Sequence, residues 1–257
     1  MKTNSLGFIG GGRITRIFLQ AFANKAIGLQ RVMIFDTNPE VLNELKQQFP
    51  TITISESPER VARQSIVFIA LHPPVIMETL DKISDVVNED AQVISLAPKI
   101  SIEKLSFKLK TKNILRMIPN ATSYIIEGFN PVSFAHGFNL SLKAGTLDLL
   151  KLLGNTFEVS EPKLEAYAVL SAMLPTYFWF QWQELIRLGD PMGLTEVESN
   201  VAIRQTLVAA MNLYFESGLT PEQVMDLIPV KPIGEHQAQI TEIYQTKLMG
   251  LFEKIRT

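Results

Sequence analysis

The sequence predicts an α/β chain, a doubly wound parallel sheet followed by an all-α C-terminal domain. Up to Ser160, apolar runs of strand length alternate with helical stretches, the pattern of successive strand–helix–strand units. From Pro162 onward the strand signals vanish and long helical stretches follow, punctuated by Gly189-Asp190-Pro191, Gly218 to Pro221 and Pro229 to Gly234. The opening strand also runs into a glycine corner from which a helix starts at once. These observations divide the chain into residues 1–160 and 161–257.

The first strand ends at Gly10-Gly11-Gly12, and the helix Ile14–Lys25 follows. Gly10 and Gly12 occupy the first two positions of the dinucleotide fingerprint: the first permits the tight turn, the second lets backbone approach a pyrophosphate at the helix N-terminus. The third position is Thr15, larger than the usual Gly or Ala. A second strand, Arg31–Phe35, ends at Asp36, 24 residues after Gly12, close to where an acidic residue takes the ribose hydroxyls of a dinucleotide. The chain continues with a helix at Pro39–Phe49, a β-branched strand at Thr51–Ile54 and a short helix at Pro58–Arg63. Ser65–Ala70 is an unbroken apolar run, as expected of a parallel strand covered on both faces. His72-Pro73-Pro74 stops it, and a helix follows at Val75–Ser84. Next come a strand at Gln92–Leu96, a helix at Ile102–Lys110 and a strand at Asn113–Ile118 closed by Pro119-Asn120. Pro131–Ala135 and Thr156–Val159 read as two further strands around the helix Leu140–Leu153. Helices over Pro162–Leu188, Thr195–Ser217, Pro221–Ile228 and Glu235–Ile255 complete the chain.

In such sheets ligands sit beyond the carboxyl ends of the strands. The predicted cofactor cleft therefore comprises Gly10, Gly11, Gly12, Arg13 and Ile14; Asp36, Thr37 and Asn38; Ala70, Leu71, His72 and Pro73; Ser95 to Pro98, with Ser95 and Ala97 foremost; and Met117 to Asn120. The fingerprint implies a dinucleotide. Asp36, with no arginine just after the strand, favours NAD(H) over NADP(H), because a 2′-phosphate would meet a carboxylate. The same Asp, two residues before Asn38-Pro39, also suits a turn cap. Arg13 either holds phosphates or stacks on the adenine, or is a solvated surface arginine.

The chain has 257 residues, 46% hydrophobic and 19% charged, ample for a large core. Its net charge of -2, without a basic run, disfavours nucleic acid as a partner. The absence of cysteine excludes disulfides and thiolate chemistry and predicts a reducing, cytoplasmic setting. The first strand begins too early to leave room for a signal peptide. Ala166–Gln183 is uncharged over 18 residues, but Pro175 and several polar residues make it a buried helix and not a membrane span. Three scattered histidines argue no metal site. Leu170, Met173, Phe178, Trp179, Phe180 and Trp182 carry more apolar surface than one small bundle covers, which predicts an intertwined homodimer or a higher oligomer.

Taken in order, the motifs resemble those of the pyrroline-5-carboxylate reductase family over nearly the full length. They are Gly7-Phe8-Ile9-Gly10-Gly11-Gly12, Ala70-Leu71-His72-Pro73, Ile94-Ser95-Leu96-Ala97, Arg116-Met117-Ile118-Pro119-Asn120 and Glu127-Gly128. Further on come Pro175-Thr176-Tyr177, Glu184, Gly193-Leu194, Gln205-Thr206, Glu216-Ser217-Gly218 and Pro221. The resemblance implies a Rossmann domain that binds a reduced nicotinamide and a helical domain that interleaves with a second subunit. It also implies hydride transfer to the C=N carbon of a small cyclic imino acid, with Asn120, Thr176 and Tyr177 beside the substrate.

The chain departs from that family at several motifs. His72-Pro73 stands for Lys-Pro, Pro98-Lys99 for Ala-Gly, and Ala172-Met173-Leu174-Pro175-Thr176 for Gly-Ser-Gly-Pro-Ala. The family's substrate loop, Pro-Gly-Gly-Thr-Thr, falls on Pro232-Ile233-Gly234-Glu235-His236, where Glu235 brings a negative charge. Reduction of an imine needs one proton besides the hydride. His72 and His236 are the candidate donors, although His72 also suits a solvent-facing position and Glu235-His236 the first turn of the last helix. His136 is assigned no role. The resulting reading is an NAD(P)H-dependent oxidoreductase of a C=N or C=O compound. The alternatives are a catalytically silent nucleotide-binding sensor, or a hydroxy-acid dehydrogenase, for which Lys163 is the single lysine early in the helical domain.

Overall fold

The computed structural model describes residues 5–256, so the reading of the extreme N-terminus falls outside that range. The chain forms two compact units: residues up to Ala172 together with the stretch from Leu251 onward, and Met173–Gly250.

The first unit is a single eight-stranded sheet. Its strands are β1 (Leu6–Ile9), β2 (Val32–Phe35), β3 (Thr53–Ile54), β4 (Ile66–Ile69), β5 (Gln92–Ser95), β6 (Ile114–Met117), β7 (Gly128–Phe134) and β8 (Gly154–Glu158), in the order β3-β2-β1-β4-β5-β6-β7-β8. Between them lie α1 (Arg13–Asn24), α2 (Pro39–Gln48), α3 (Pro58–Ala62), α4 (Pro73–Ile83), α5 (Ile102–Lys108) and α6 (Leu140–Leu150). β1, β4, β5 and β6 are buried at every position, which is why β1 and β4 read as apolar runs. Phe8 and Phe68 stack face to face across β1 and β4, with ring centroids 4.5 Å apart, and Phe18 of α1 meets both edge-on. This cluster pins α1, and with it the glycine corner, to the centre of the sheet.

β7 runs antiparallel to β6, so the parallel series is interrupted there. The reason is local: β6 and β7 are joined only by Ile118–Glu127, coiled into a 3-10 turn at Ala121–Ile125, too short for the helical crossover a parallel partner needs. α6 then supplies a crossover, and β8 pairs parallel to β7.

The first unit also extends past Ser160, the boundary that composition indicates, to Ala172. After β8 the chain forms a 3-10 turn at Glu161–Lys163, α7 (Leu164–Tyr167) and a π-helical turn at Ala168–Ala172, in place of one continuous helix from Pro162. A buried cation accounts for this attachment. Arg116, at the centre of β6, is 0% exposed and needs counter-charges, which Glu161 (2.9 Å) and the equally buried Glu165 supply. Phe129 of β7, Phe157 of β8 and Tyr167 of α7 add an aromatic cluster that joins the same segment to the sheet.

The second unit comprises α8 (Leu174–Gly189), α9 (Glu196–Glu216), α10 (Pro221–Asp226) and α11 (Gln237–Ile243). A π-helical turn at Tyr244–Leu248 leads into α12 (Met249–Ile255), which returns to the first unit. α8 and α9 pack against each other, and α9 starts with a capping box in which Thr195 and Glu198 bond reciprocally. Val197, Val201, Val208, Met211 and Phe215 recur at helical spacing along α9, and all are exposed. No helix among the described residues is long and apolar enough to cross a membrane.

Candidate functional site

The sheet order reverses between β1 and β4, and a cleft opens there, beyond the carboxyl ends of the strands. Its volume is about 650 Å³. Its walls are Gly11, Gly12, Arg13, Ile14 and Arg16 from the corner and α1, Val41 and Glu44 from α2, and Ala70 to Pro73 after β4. Leu96, Ala97 and Pro98 after β5 and Pro119 after β6 complete it.

Gly10 turns the chain with φ +104, and a side chain there would overlap the Ala70 carbonyl oxygen, so the end of β1 lies directly against the end of β4. Gly12, the N-cap of α1, has the opposite surroundings: a Cβ built on it meets nothing within 4 Å. The first turn of α1 has no side-chain cap and no acidic residue, so its N–H groups are open to an anion. Thr15 fits the third fingerprint position because it is fully buried and its hydroxyl donates to the Gly10 carbonyl at 2.6 Å.

Asp36 ties this corner to the β2–α2 turn. The Gly11 N–H donates to its Oδ2 at 2.7 Å and the Asn38 N–H to its Oδ1 at 2.8 Å. Asn38 in turn caps α2 by accepting from the Glu40 N–H. Asp36, Thr37 and Asn38 therefore stand beside the cleft without forming its wall.

On the other side of the switch point, His72 is exposed on the cleft wall, at the N-cap of α4 and without a side-chain capping bond. Ser95 is fully buried, its hydroxyl without a partner, and does not line the cleft as Leu96 and Ala97 do. Asn120 is buried and its amide is committed to scaffolding. Its Oδ1 accepts from the Thr122 N–H and hydroxyl, and its Nδ2 donates to Ser171 at 3.3–3.4 Å. Its neighbour Pro119 is the residue that reaches the cleft.

The remaining predicted residues lie in the second unit. The Thr176 hydroxyl donates to the Met173 carbonyl at 2.6 Å. Tyr177 packs 6.2 Å from the Tyr244 ring, and burial pushes its phenol above the ordinary value. Glu235 and His236 are exposed in a 3-10 turn before α11, 3.5 Å apart. The same loop and α11 frame a second cavity of about 360 Å³, lined by Lys231, Pro232, Ile233, Gln237, Ile240 and Tyr244 among others. Sequence reasoning missed Arg16, Val41 and Glu44 in the main cleft. The signal was available for Arg16, which lies three residues after Arg13 and so on the same helix face.

An open glycine corner at the switch point of a doubly wound sheet, with an uncapped helix start facing the cleft, defines the dinucleotide-binding class of α/β proteins. A family model described as "NADP oxidoreductase coenzyme F420-dependent" matches residues 5–99. The pyrroline-5-carboxylate reductase of Corynebacterium melassecola is 23% identical over 252 residues, covering 96% of this chain and 93% of that protein. The Escherichia coli K12 enzyme of the same name is 22% identical, covering 87% and 84%. The crystal structure of Plasmodium falciparum pyrroline carboxylate reductase with NADP bound superposes with a TM-score of 0.79 at 21% identity, covering 99% of this chain and 96% of that one. The chain is thus similar over nearly its whole length to pyrroline-5-carboxylate reductases and shares their fold.

Proposed function

We propose that the protein is a nicotinamide-dependent oxidoreductase that reduces the C=N bond of a small cyclic imine. The observation that carries this reading is the cleft itself, with Gly12 open beneath it and the uncapped start of α1 facing it, in a chain similar end to end to reductases of that name.

The residues present fit the cofactor. The first-turn N–H groups of α1 and Arg13 suit its diphosphate, Asp36 the adenosine ribose, and Ala70 to Pro73 with Ala97 the nicotinamide half. A reduced nicotinamide, when bound, supplies the hydride. The protein's part is to hold the acceptor, exclude water and deliver one proton to the imine nitrogen. His72, exposed on the cleft wall, is the first candidate for that transfer, and His236 is the second. Asp36 favours NAD(H), since each of its oxygens keeps a lone pair for a ribose hydroxyl after accepting its backbone N–H, whereas a 2′-phosphate would meet its charge.

Self-association belongs to the same reading. The exposed stripe on α9 and the exposed Trp179, Phe180 and Leu185 on α8 are apolar surface that a second copy of the chain would cover. Thr176, Tyr177 and the Pro232–His236 loop are assigned to the substrate side. Because that loop carries Glu235 where the family has a hydroxyl residue, the substrate need not be the family's own. A cytoplasmic setting fits a chain without cysteine.

The test is turnover of NADH and NADPH with 1-pyrroline-5-carboxylate, uncharged cyclic imines, keto acids and aldehydes. Reduction of at least one cyclic imine supports the reading. Tight cofactor binding without turnover across the panel favours the sensor alternative.

A further inference from the structure

Two charged residues that line the main cleft face each other across its α1–α2 wall. Arg16 donates through Nη2 to Glu44 Oε2 at 2.6 Å, and the two side chains are 39% and 63% exposed. An ion pair this exposed contributes roughly 0–1 kcal/mol to folding. Its consequence lies in what it presents to the cleft. A second bond holds the same two helices together one turn further on, Gln48 Nε2 donating to Gln20 Oε1 at 3.2 Å, so the pair is not needed to keep them in place.

Arg16 is a second cation on this wall, besides Arg13, suited to a phosphate. It sits in the second turn of α1, on the face that carries Arg13, and its Nε is buried without a partner. A guanidinium with free donors binds phosphate through a planar fork and is the usual recruiter of such groups. Here one arm of that fork is occupied and the charge is cancelled by Glu44, close to the turn where Asp36 already presents a carboxylate. The cleft therefore contains a cation able to take a phosphate, paired here with a carboxylate.

We infer that Glu44 is a specificity-determining residue, which selects NAD(H) against NADP(H) by neutralising Arg16. The inference rests on the reading of the cleft as a nicotinamide-dinucleotide site and adds to it a determinant outside the β2–α2 turn. It makes a prediction that Asp36 alone does not: releasing Arg16 creates affinity for the phosphate, and does so through Arg16.

Fluorescence titrations of NADH and NADPH on the full-length protein test it, with wild type, Glu44→Gln, Arg16→Gln and the double variant compared at one ionic strength. The inference expects wild type to bind NADH more tightly than NADPH. In Glu44→Gln the NADPH dissociation constant falls about tenfold, equivalent to about 1.4 kcal/mol. That gain shrinks with added salt and disappears in the double variant. In Arg16→Gln the NADPH/NADH ratio stays that of wild type, because the arginine is already neutralised. A wild-type preference for NADPH overturns the inference, as does an unchanged ratio in Glu44→Gln or a gain that survives loss of Arg16. Wild type that binds neither nucleotide refutes the cofactor reading itself, and is told apart from those outcomes by the NADH titration alone.

Discussion

The guanidinium of Arg116 and the carboxylate of Glu165 form an ion pair with each side chain only 1% exposed. One partner comes from β6 and the other from α7, so a strand of the sheet and a segment 49 residues later are joined through buried charge. Arg116 Nε and Glu165 Oε2 have no hydrogen-bond partner, while Arg116 also donates through Nη1 to Glu161 at 2.9 Å and through Nη2 to the Ala97 carbonyl at 3.5 Å. Glu165→Ala leaves Arg116 buried beside Glu161 alone, at a cost of about 3–5 kcal/mol. Calorimetry should show a large fall in Tm, and limited proteolysis should show cutting between Ser160 and Ala172 before the sheet is lost.

Gly10→Ala tests the corner. The native φ of +104 and the contact with Ala70 exclude a side chain without movement of β1 or β4. The conformational strain alone is about 1–3 kcal/mol, and the overlap adds to it. The expected result is a lower Tm together with loss of NADH binding. Gly12→Ala, at a position with room for a methyl group, should retain its Tm and weaken the cofactor by crowding its diphosphate.

The capping box of α9 gives a pH prediction. The Thr195 hydroxyl donates to Glu198 at 2.7 Å and its N–H at 2.8 Å, and these bonds hold the Glu198 carboxyl below the usual carboxylate range. A folded-state pKa below the unfolded value contributes stability above the unfolded value, and that contribution is lost as pH falls through the folded one. Glu198→Gln has no such dependence at this position. The Tm difference between wild type and Glu198→Gln should therefore narrow as the pH is lowered through the carboxylate range, as read by thermal melts across a pH series.

The exposed stripe on α9 predicts self-association. Val201→Glu and Phe215→Glu each place a charge on it at residues that are 49% and 78% exposed, so neither disturbs a packed core. Sedimentation should give at least twice the chain mass of 28.8 kDa for wild type and a shift toward that mass for the double variant. A monomeric wild type would contradict this.

The sheet was legible because burial on both faces leaves a direct mark: Ser65–Ala70 is apolar from Ile66 to its end, with no polar alternation to confuse with a helix. The corner was legible because only glycine accepts the backbone and the close contact at Gly10. The direction of β7 was not, since it depends on the length of a connection that a 3-10 turn shortens further. The break in Pro162–Leu188 was also hidden. A π-helical turn at Ala168–Ala172 carries no propensity signal, and the segment folds onto the sheet because of a cation 45 residues earlier. Arg16 and Glu44 were overlooked for a similar reason, since their relation exists only once α1 and α2 lie side by side.

The most direct test of the account is equilibrium binding of NADH to the purified full-length protein, followed by the change in nucleotide fluorescence and by calorimetry. The account predicts saturable binding at one site per chain, abolished in Gly10→Ala. Absence of binding by wild type at about millimolar nucleotide, an affinity near 4 kcal/mol, would contradict it.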